Sequence, residues 1–226
     1  MLLIKKYNKK LSNDWDLFVR KSFNGTLFQT QKFLSYHQEK KIKDYSLAFY
    51  KNKKIIALLP AAEITQNKEK NLYSHPGASY GGLVVDRTLN FETINEIIIQ
   101  LIQYAKKQNF KKITLINSPS IYCNNKNESL HYLLVWNKFN INEIYISHAT
   151  KLNNPIIDLL QIRKKRYIKQ IIKNNAFICK QTQEYGEFYK LLIISKKQHK
   201  TTPTHSLKEL IQLQKIFPRR IILLNF

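Results

Sequence analysis

Apolar residues recur along this chain with two periods, one near two residues and one near 3.6, and the alternation of the two predicts its elements. Leu2 to Tyr7 reads as a strand, followed by Ser12 or Asn13 as a helix N-cap and an amphipathic segment carrying Trp15, Leu17, Phe18 and Ser22. Asn24-Gly25 interrupts that helix, and Thr30 to Lys41 reads as a second one with Phe33, Leu34 and His37 on one side. Asp44 to Tyr50 and Lys54 to Thr65 are rich in aromatic and branched residues and predict two strands joined across Lys51-Asn52-Lys53 as a hairpin. Leu83-Val84-Val85 predicts another strand. The longest helix is expected from Phe91 to Gln108, where Ile94, Ile97, Ile98, Leu101, Ile102 and Ala105 fall on one face. Lys112 to Ile116 reads as a strand, Glu128 to Phe139 as a helix and Ile141 to His148 as a further strand.

The order of elements then begins again. Ala176 to Thr182 predicts a strand, Glu184 to Lys197 and Ser206 to Phe217 two helices, and Arg220 to Phe226 a strand. Leu17 aligns in this second round with Phe188, Phe33 with Leu210, and Tyr45 with Ile221. The pattern divides the chain into a domain over residues 1–150 and a partial second one over 151–226. The latter opens with a basic connecting helix near 160–174.

Composition narrows the class. With 226 residues, 43% hydrophobic and 12% aromatic, the chain is long enough for a buried core. Its apolar runs, such as Ile55 to Ala62, are too short to span a bilayer, and the start MLLIKKYNKK lacks the apolar core of a signal peptide. A cytoplasmic protein is the expectation. Cys123 and Cys179 form no CxxC pair, and no histidines recur at i,i+4, so a zinc site is not expected. The charge is lopsided: 38 Lys and Arg against 15 Asp and Glu, a net +23. Two readings stay open, a field that gathers polyanions such as RNA or nucleotides, and a solvated lysine surface in an Asn- and Ile-rich chain.

The stretch SHPGASYGGLVVD, Ser74 to Asp86, holds three of the five glycines. It leads into a strand and matches neither common phosphate-loop pattern, so a bulged turn between core strands stands beside a ligand-lining role. Ser74, His75, Ser79 and Tyr80 offer hydrogen bonds there, and Gly81-Gly82 leave room. In QIRKKRYIKQ, helical spacing puts Arg163, Arg166, Tyr167 and Gln170 on one face. That face suits a diphosphate and equally suits plain solvation. Glu63, His75 and His205 are candidate proton acceptors, and no nucleophile-base pair can be assembled from spacing alone.

The order of elements, with Asn24-Gly25-Thr26-Leu27-Phe28, SHPGASYGG and the helix opening Lys164-Lys165-Arg166-Tyr167-Ile168-Lys169, resembles the Fem-type double-GNAT proteins over nearly the whole chain. That resemblance implies an α+β, GNAT-like (acyl-CoA N-acyltransferase) fold with one full copy and a partial second copy. It implies N-acyl or aminoacyl transfer onto a cell-wall or surface-glycan precursor, with acyl-CoA or aminoacyl-tRNA as donor and no metal. It further implies that Tyr36 and His37 on the second helix, the SHPGASYGG region and the Arg163–Arg166 helix border the acceptor cleft. The acceptor is then an anionic or nucleotide-linked precursor, with tRNA as a possible partner. Asp86-Arg87-Thr88-Leu89-Asn90, at the start of the third helix, lacks the glycine turn on which GNAT enzymes hold coenzyme A, so the first copy is not expected to bind it. The end at Phe226 raises two further expectations, a second polypeptide completing the second domain or a truncated, inactive remnant. A non-catalytic module binding an anionic nucleotide-sugar or RNA is the alternative.

Overall fold

The structure is a computed structural model that describes residues 1–36, 42–123, 128–146, 148–150, 155–174 and 180–225. The chain divides into two units, Met1–Ser147 and His148–Phe226.

Unit 1 is built on two four-stranded sheets. The first has the order β1 (Leu2–Lys6), β3 (Leu47–Lys51), β4 (Lys54–Leu59), β7 (Val84–Val85), all antiparallel. The second has the order β2 (Lys43–Asp44), β5 (Ala61–Gln66), β6 (Glu69–Ser74), β8 (Lys112–Thr114), and its last pair, β6 with β8, is parallel. Two tight turns set the register. Asn52-Lys53 and Asn67-Lys68 all hold positive φ, from 50° to 64°, the geometry of a two-residue hairpin turn whose twist matches the strands it joins.

Side-chain alternation decides what each face covers. Leu47, Phe49, Ala57, Leu59 and Val85 point to one side, where they meet Ile94, Ile97, Ile98, Leu101 and Ala105 of α3 (Phe91–Lys107) and Leu130, Leu133 and Leu134 of α4 (Ser129–Trp136). Ala48, Leu58 and Val84 point to the other and pack on Trp15 and Val19 of α1 (Ser12–Lys21). Both sides of the sheet are therefore dry, and each fully buried Leu or Ile contributes about 1.5–3 kcal/mol. Trp15 keeps its indole satisfied by donating to the Gln29 carbonyl at 2.8 Å. The short helix α2 (Gln31–Leu34) is capped by Thr30, which accepts from Phe33 N.

Unit 2 contains α5 (Ile156–Leu159), α6 (Ile162–Lys173), β9 (Lys180–Thr182), α7 (Tyr185–Gln198), α8 (Leu207–Ile216) and β10 (Leu223–Asn225). β9 pairs antiparallel with β10, as β1 does with β3. Ser206 and Glu209 close the start of α8 with a reciprocal capping box.

Several sequence expectations need correction. The strand expected over Asp44 to Tyr50 is two strands in different sheets, parting at Tyr45-Ser46, and that over Lys54 to Thr65 parts at Pro60, which has no N–H for a ladder. β6 was not expected at all. The helix expected from Thr30 to Lys41 ends at Leu34, and residues 37–41 lie outside the described residues. That expected from Glu128 to Phe139 ends at Trp136, where Lys138 at φ 67° turns the chain out of helix. Ile141 to Ile146 forms no strand; no described strand pairs with it, and Ile141, Ile144, Tyr145 and Ile146 are exposed. No helix among the described residues is long and apolar enough to cross a membrane.

Candidate functional site

The glycine stretch is an excursion from a strand line. β6 ends with Ser74 opposite Ala61, and β7 resumes with Val84 opposite Leu58, so residues 75–83 loop out where the partner strand crosses Pro60. Backbone and buried side chains fasten the loop. Ile116 N donates to Ser74 Oγ at 2.6 Å, and Gly81 N donates to the Ile116 carbonyl at 2.7 Å. Gln29 Nε2 donates to the Gly81 carbonyl at 2.7 Å and to Ser118 Oγ at 3.1 Å. Asn24 donates to the Leu83 carbonyl at 2.7 Å and accepts from Val85 N at 3.0 Å.

The two glycines meet close neighbours. A Cβ on Gly81 would sit 2.8 Å from the Ser74 side chain, and one on Gly82, at φ 71°, would sit 2.3 Å from Asn117 Oδ1. His75 N and Ala78 N donate to main-chain oxygens as well. These N–H groups point at protein carbonyls instead of converging on one external point. The stretch turns and locks the backbone; it does not form a phosphate cradle.

The start of α3 is also a poor anion site. Asp86 Oδ1 accepts from Thr88 N at 2.8 Å and from Thr88 Oγ1 at 2.6 Å, and Asn90 caps the helix through Thr93 N. A carboxylate just before the start of α3 opposes an anion there.

Beside His75 a cavity of about 400 Å³ opens, walled by Tyr7, Asn8 and Lys9 after β1, Gln31, Leu34 and Ser35 of the α2 region, and Ile42 and Asp44 at β2. Burial pushes the Asp44 carboxyl above the usual carboxylate range, against the pull of the Ser46 hydrogen bonds and the Lys6 charge. Burial also raises the Tyr7 phenol. Gln31 N is held by Asp16 Oδ1 at 2.6 Å, while its side-chain nitrogen is buried without an acceptor. Asp44, Tyr7 and the buried His75 thus line one cavity.

A second cavity of about 300 Å³ lies among Asn24, Asn117, Ser118, Cys123 and His131. The Cys123 thiol is pushed up by burial and then by Glu128, so it stays protonated and is not an activated nucleophile. Among the described residues, no cluster of three or more His, Cys, Asp or Glu could hold a metal ion.

The sequence-selected residues fall into two groups. Ser74, His75, Ser79, Tyr80, Gly81 and Gly82 share the excursion. Tyr36 joins them through a row of rings: Tyr36 to Phe33 at 4.9 Å, Phe33 to Phe28 at 5.0 Å, Phe28 to Tyr80 at 5.3 Å. His37 lies outside the described residues. Arg163, Arg166 and Tyr167 belong to unit 2, where Arg163 donates to the Tyr167 hydroxyl at 3.3 Å and its guanidinium carbon lies 5.6 Å from that ring's centre. Sequence reasoning passed over Asp44, Tyr7 and Gln31 as site residues, because strand edges distant in sequence bring them together. It also passed over Gln29, whose pairing with Thr26 as a capping box was readable.

No protein-family model matches the sequence, and no curated protein is similar to it. Solved structures are similar in fold. The crystal structure of FemX superposes with a TM-score of 0.63 at 13% identity, covering 94% of this chain and 54% of that one, so the chain spans about half the length of FemX. An aminoglycoside 6'-N-acetyltransferase from Acinetobacter haemolyticus matches at 16% identity and TM-score 0.41, covering 67% of this chain and 99% of that one. A GNAT family acetyltransferase from Staphylococcus aureus matches at 15% identity and TM-score 0.39, covering 66% and 98%. At these identities the likeness establishes architecture alone: the chain has an α+β, GNAT-like fold.

Proposed function

We propose that the chain is an N-acyl or aminoacyl transferase-like protein that holds the amine of a cell-wall or surface-glycan precursor in the cavity walled by Tyr7, Gln31, Asp44 and His75. The observation that carries this reading is the gathering of a raised carboxyl and a buried histidine in one cleft of a GNAT-like fold. FemX, whose structure superposes over 94% of this chain, supports the Fem-type side of it.

In such a transfer the acceptor amine attacks the acyl carbonyl, the carbon–sulfur bond of acyl-CoA or the ester bond of aminoacyl-tRNA breaks, and the amine's proton passes to the departing group. Asp44 and His75 supply the groups that take and return that proton. A carboxylate raised toward neutrality is the better base for it. Gln31 offers its side-chain nitrogen to an acceptor oxygen, and Lys9 answers negative charge at the cleft. Ser79 and Tyr80 contact the precursor from the excursion, while Ser74, Gly81 and Gly82 act through the backbone they fix. On unit 2, taken by itself, Arg163 and Arg166 offer a cationic face suited to a diphosphate, with Tyr167 orienting Arg163. The donor is not assigned to the start of α3, where Asp86 opposes it.

A binding module for an anionic nucleotide-sugar or RNA is the second reading, favoured by the net charge of +23. Incubation with a nucleotide-linked glycopeptide and each donor, read by mass spectrometry, separates the two. Transfer adds one acyl mass and falls at least about tenfold in Asp44→Asn and His75→Gln. A module gives no covalent product and loses its ligand steeply with salt.

A further inference from the structure

Helices α5 and α6 bury none of their residues, whereas every other described α-helix buries at least one. Yet α6 is strongly two-sided. Ile168, Ile171 and Ile172 lie along one side, with Tyr167 at its edge against Arg163; Arg166, Lys169 and Lys173 run along the other together with the exposed Ile162, and the helix contains no acidic residue. Most of that side is open to water: Tyr167 keeps 52% of its surface exposed, Ile171 39% and Ile172 68%, while Ile168 is half-buried. At its N-terminal end Lys165 Nζ donates to the Asp158 carbonyl at 3.4 Å, which ties α5, with its exposed Ile156 and Leu159, to the same helix.

We propose that α6 docks on an anionic lipid bilayer, lying in the plane of the surface. Tyr167, Ile168, Ile171 and Ile172 enter the boundary of headgroups and acyl chains, and the flanking lysines and arginines meet lipid phosphates. A helix of 12 residues is far too short to cross the hydrocarbon, so it lies on the membrane. Charge and apolarity together select this partner. RNA would neutralise the cations and leave the isoleucine side in water, whereas an anionic bilayer supplies a plane of negative charge with hydrocarbon directly beneath it. Lys164 sits at the first turn of the apolar side, and its long stem lets the ammonium reach back to the headgroups. Tyr167, its hydroxyl held by Arg163, places an amphipathic ring at that boundary. This inference is independent of the acceptor cleft of unit 1.

The test is co-sedimentation of the full chain with vesicles of phosphatidylcholine alone and with vesicles containing about 30% phosphatidylglycerol, at physiological salt. The chain is expected to pellet with the anionic vesicles only. The neutral double variant Ile171→Gln/Ile172→Gln, with an unchanged circular dichroism spectrum, is expected to bind them at least tenfold more weakly. Lys165→Gln/Lys169→Gln is expected to bind more weakly as well. Failure of the parent to bind anionic vesicles overturns the proposal. So does equal binding by parent and isoleucine variant, because attraction of a +23 chain to any anionic surface then suffices. Preferential binding of single-stranded RNA, lost in the lysine variant and kept in the isoleucine variant, overturns it in favour of nucleic acid.

Discussion

The side chain of Gln29 donates to the carbonyl of Gly81 at 2.7 Å, joining the loop before α2 to the glycine excursion between β6 and β7. The same nitrogen reaches Ser118 Oγ at 3.1 Å, and the amide oxygen accepts from Thr26 N at 2.6 Å and Thr26 Oγ1 at 3.0 Å. One fully buried amide thereby fastens three segments around the excursion that carries His75.

Replacing it with the similarly sized Gln29→Leu should leave the Gly81 carbonyl without this donor and Thr26 N without this acceptor. A loss of about 2–4 kcal/mol is expected for that pair of desolvated groups, read as a lower urea midpoint with an unchanged slope. An unchanged midpoint would mean that water replaces the amide and that the excursion is not fastened there.

The hairpin turns give an expectation of opposite sign. Lys53 and Lys68 hold φ of 64° and 63°, a conformation that costs a side-chain-bearing residue energy and suits glycine. Lys53→Gly and Lys68→Gly should each raise stability by about 0.5 kcal/mol, after the extra chain entropy of glycine is set against the relief of strain. Thermal melts of the two variants and their combination measure it, and a fall in both would place the strain elsewhere.

Asp44 ties stability to pH. Because the folded chain holds its proton more tightly than the unfolded chain does, the Asp44 carboxyl contributes stability at low pH that is lost as pH rises through its elevated folded pKa. Asp44→Asn removes that dependence. Relative to parent, its melting temperature should improve from about pH 3, where both side chains are neutral, to about pH 7. An advantage that shrinks over this range would show that the Ser46 hydrogen bond outweighs burial.

Much of this fold was legible as period. The alternation of Leu47, Ala48 and Phe49 and the 3.6-residue recurrence from Ile94 to Ala105 both end on the buried faces the pattern assigns them. The repeated order of elements was legible too, and β9 with β10 reproduces the pairing of β1 with β3. What escaped was whatever depends on chain crossing. β6 is too polar, EKNLYS, to announce itself, although its turn Asn67-Lys68 repeats Asn52-Lys53 in both residues and dihedrals. The division of two long strands between sheets at Ser46 and Pro60 leaves no periodic trace. For the candidate cavity, His75 stood out in the sequence, while Asp44 did not, because the residues that share the cavity with it are remote in sequence.

The most direct test of the acceptor cleft is equilibrium binding of a nucleotide-linked glycopeptide to the full chain by titration calorimetry, beside Asp44→Asn and His75→Gln with unchanged circular dichroism. Both variants should weaken binding about tenfold or more, some 1.4 kcal/mol, at constant salt. Parent and variants binding alike, or a parent that binds only through salt-sensitive charge, would contradict the account.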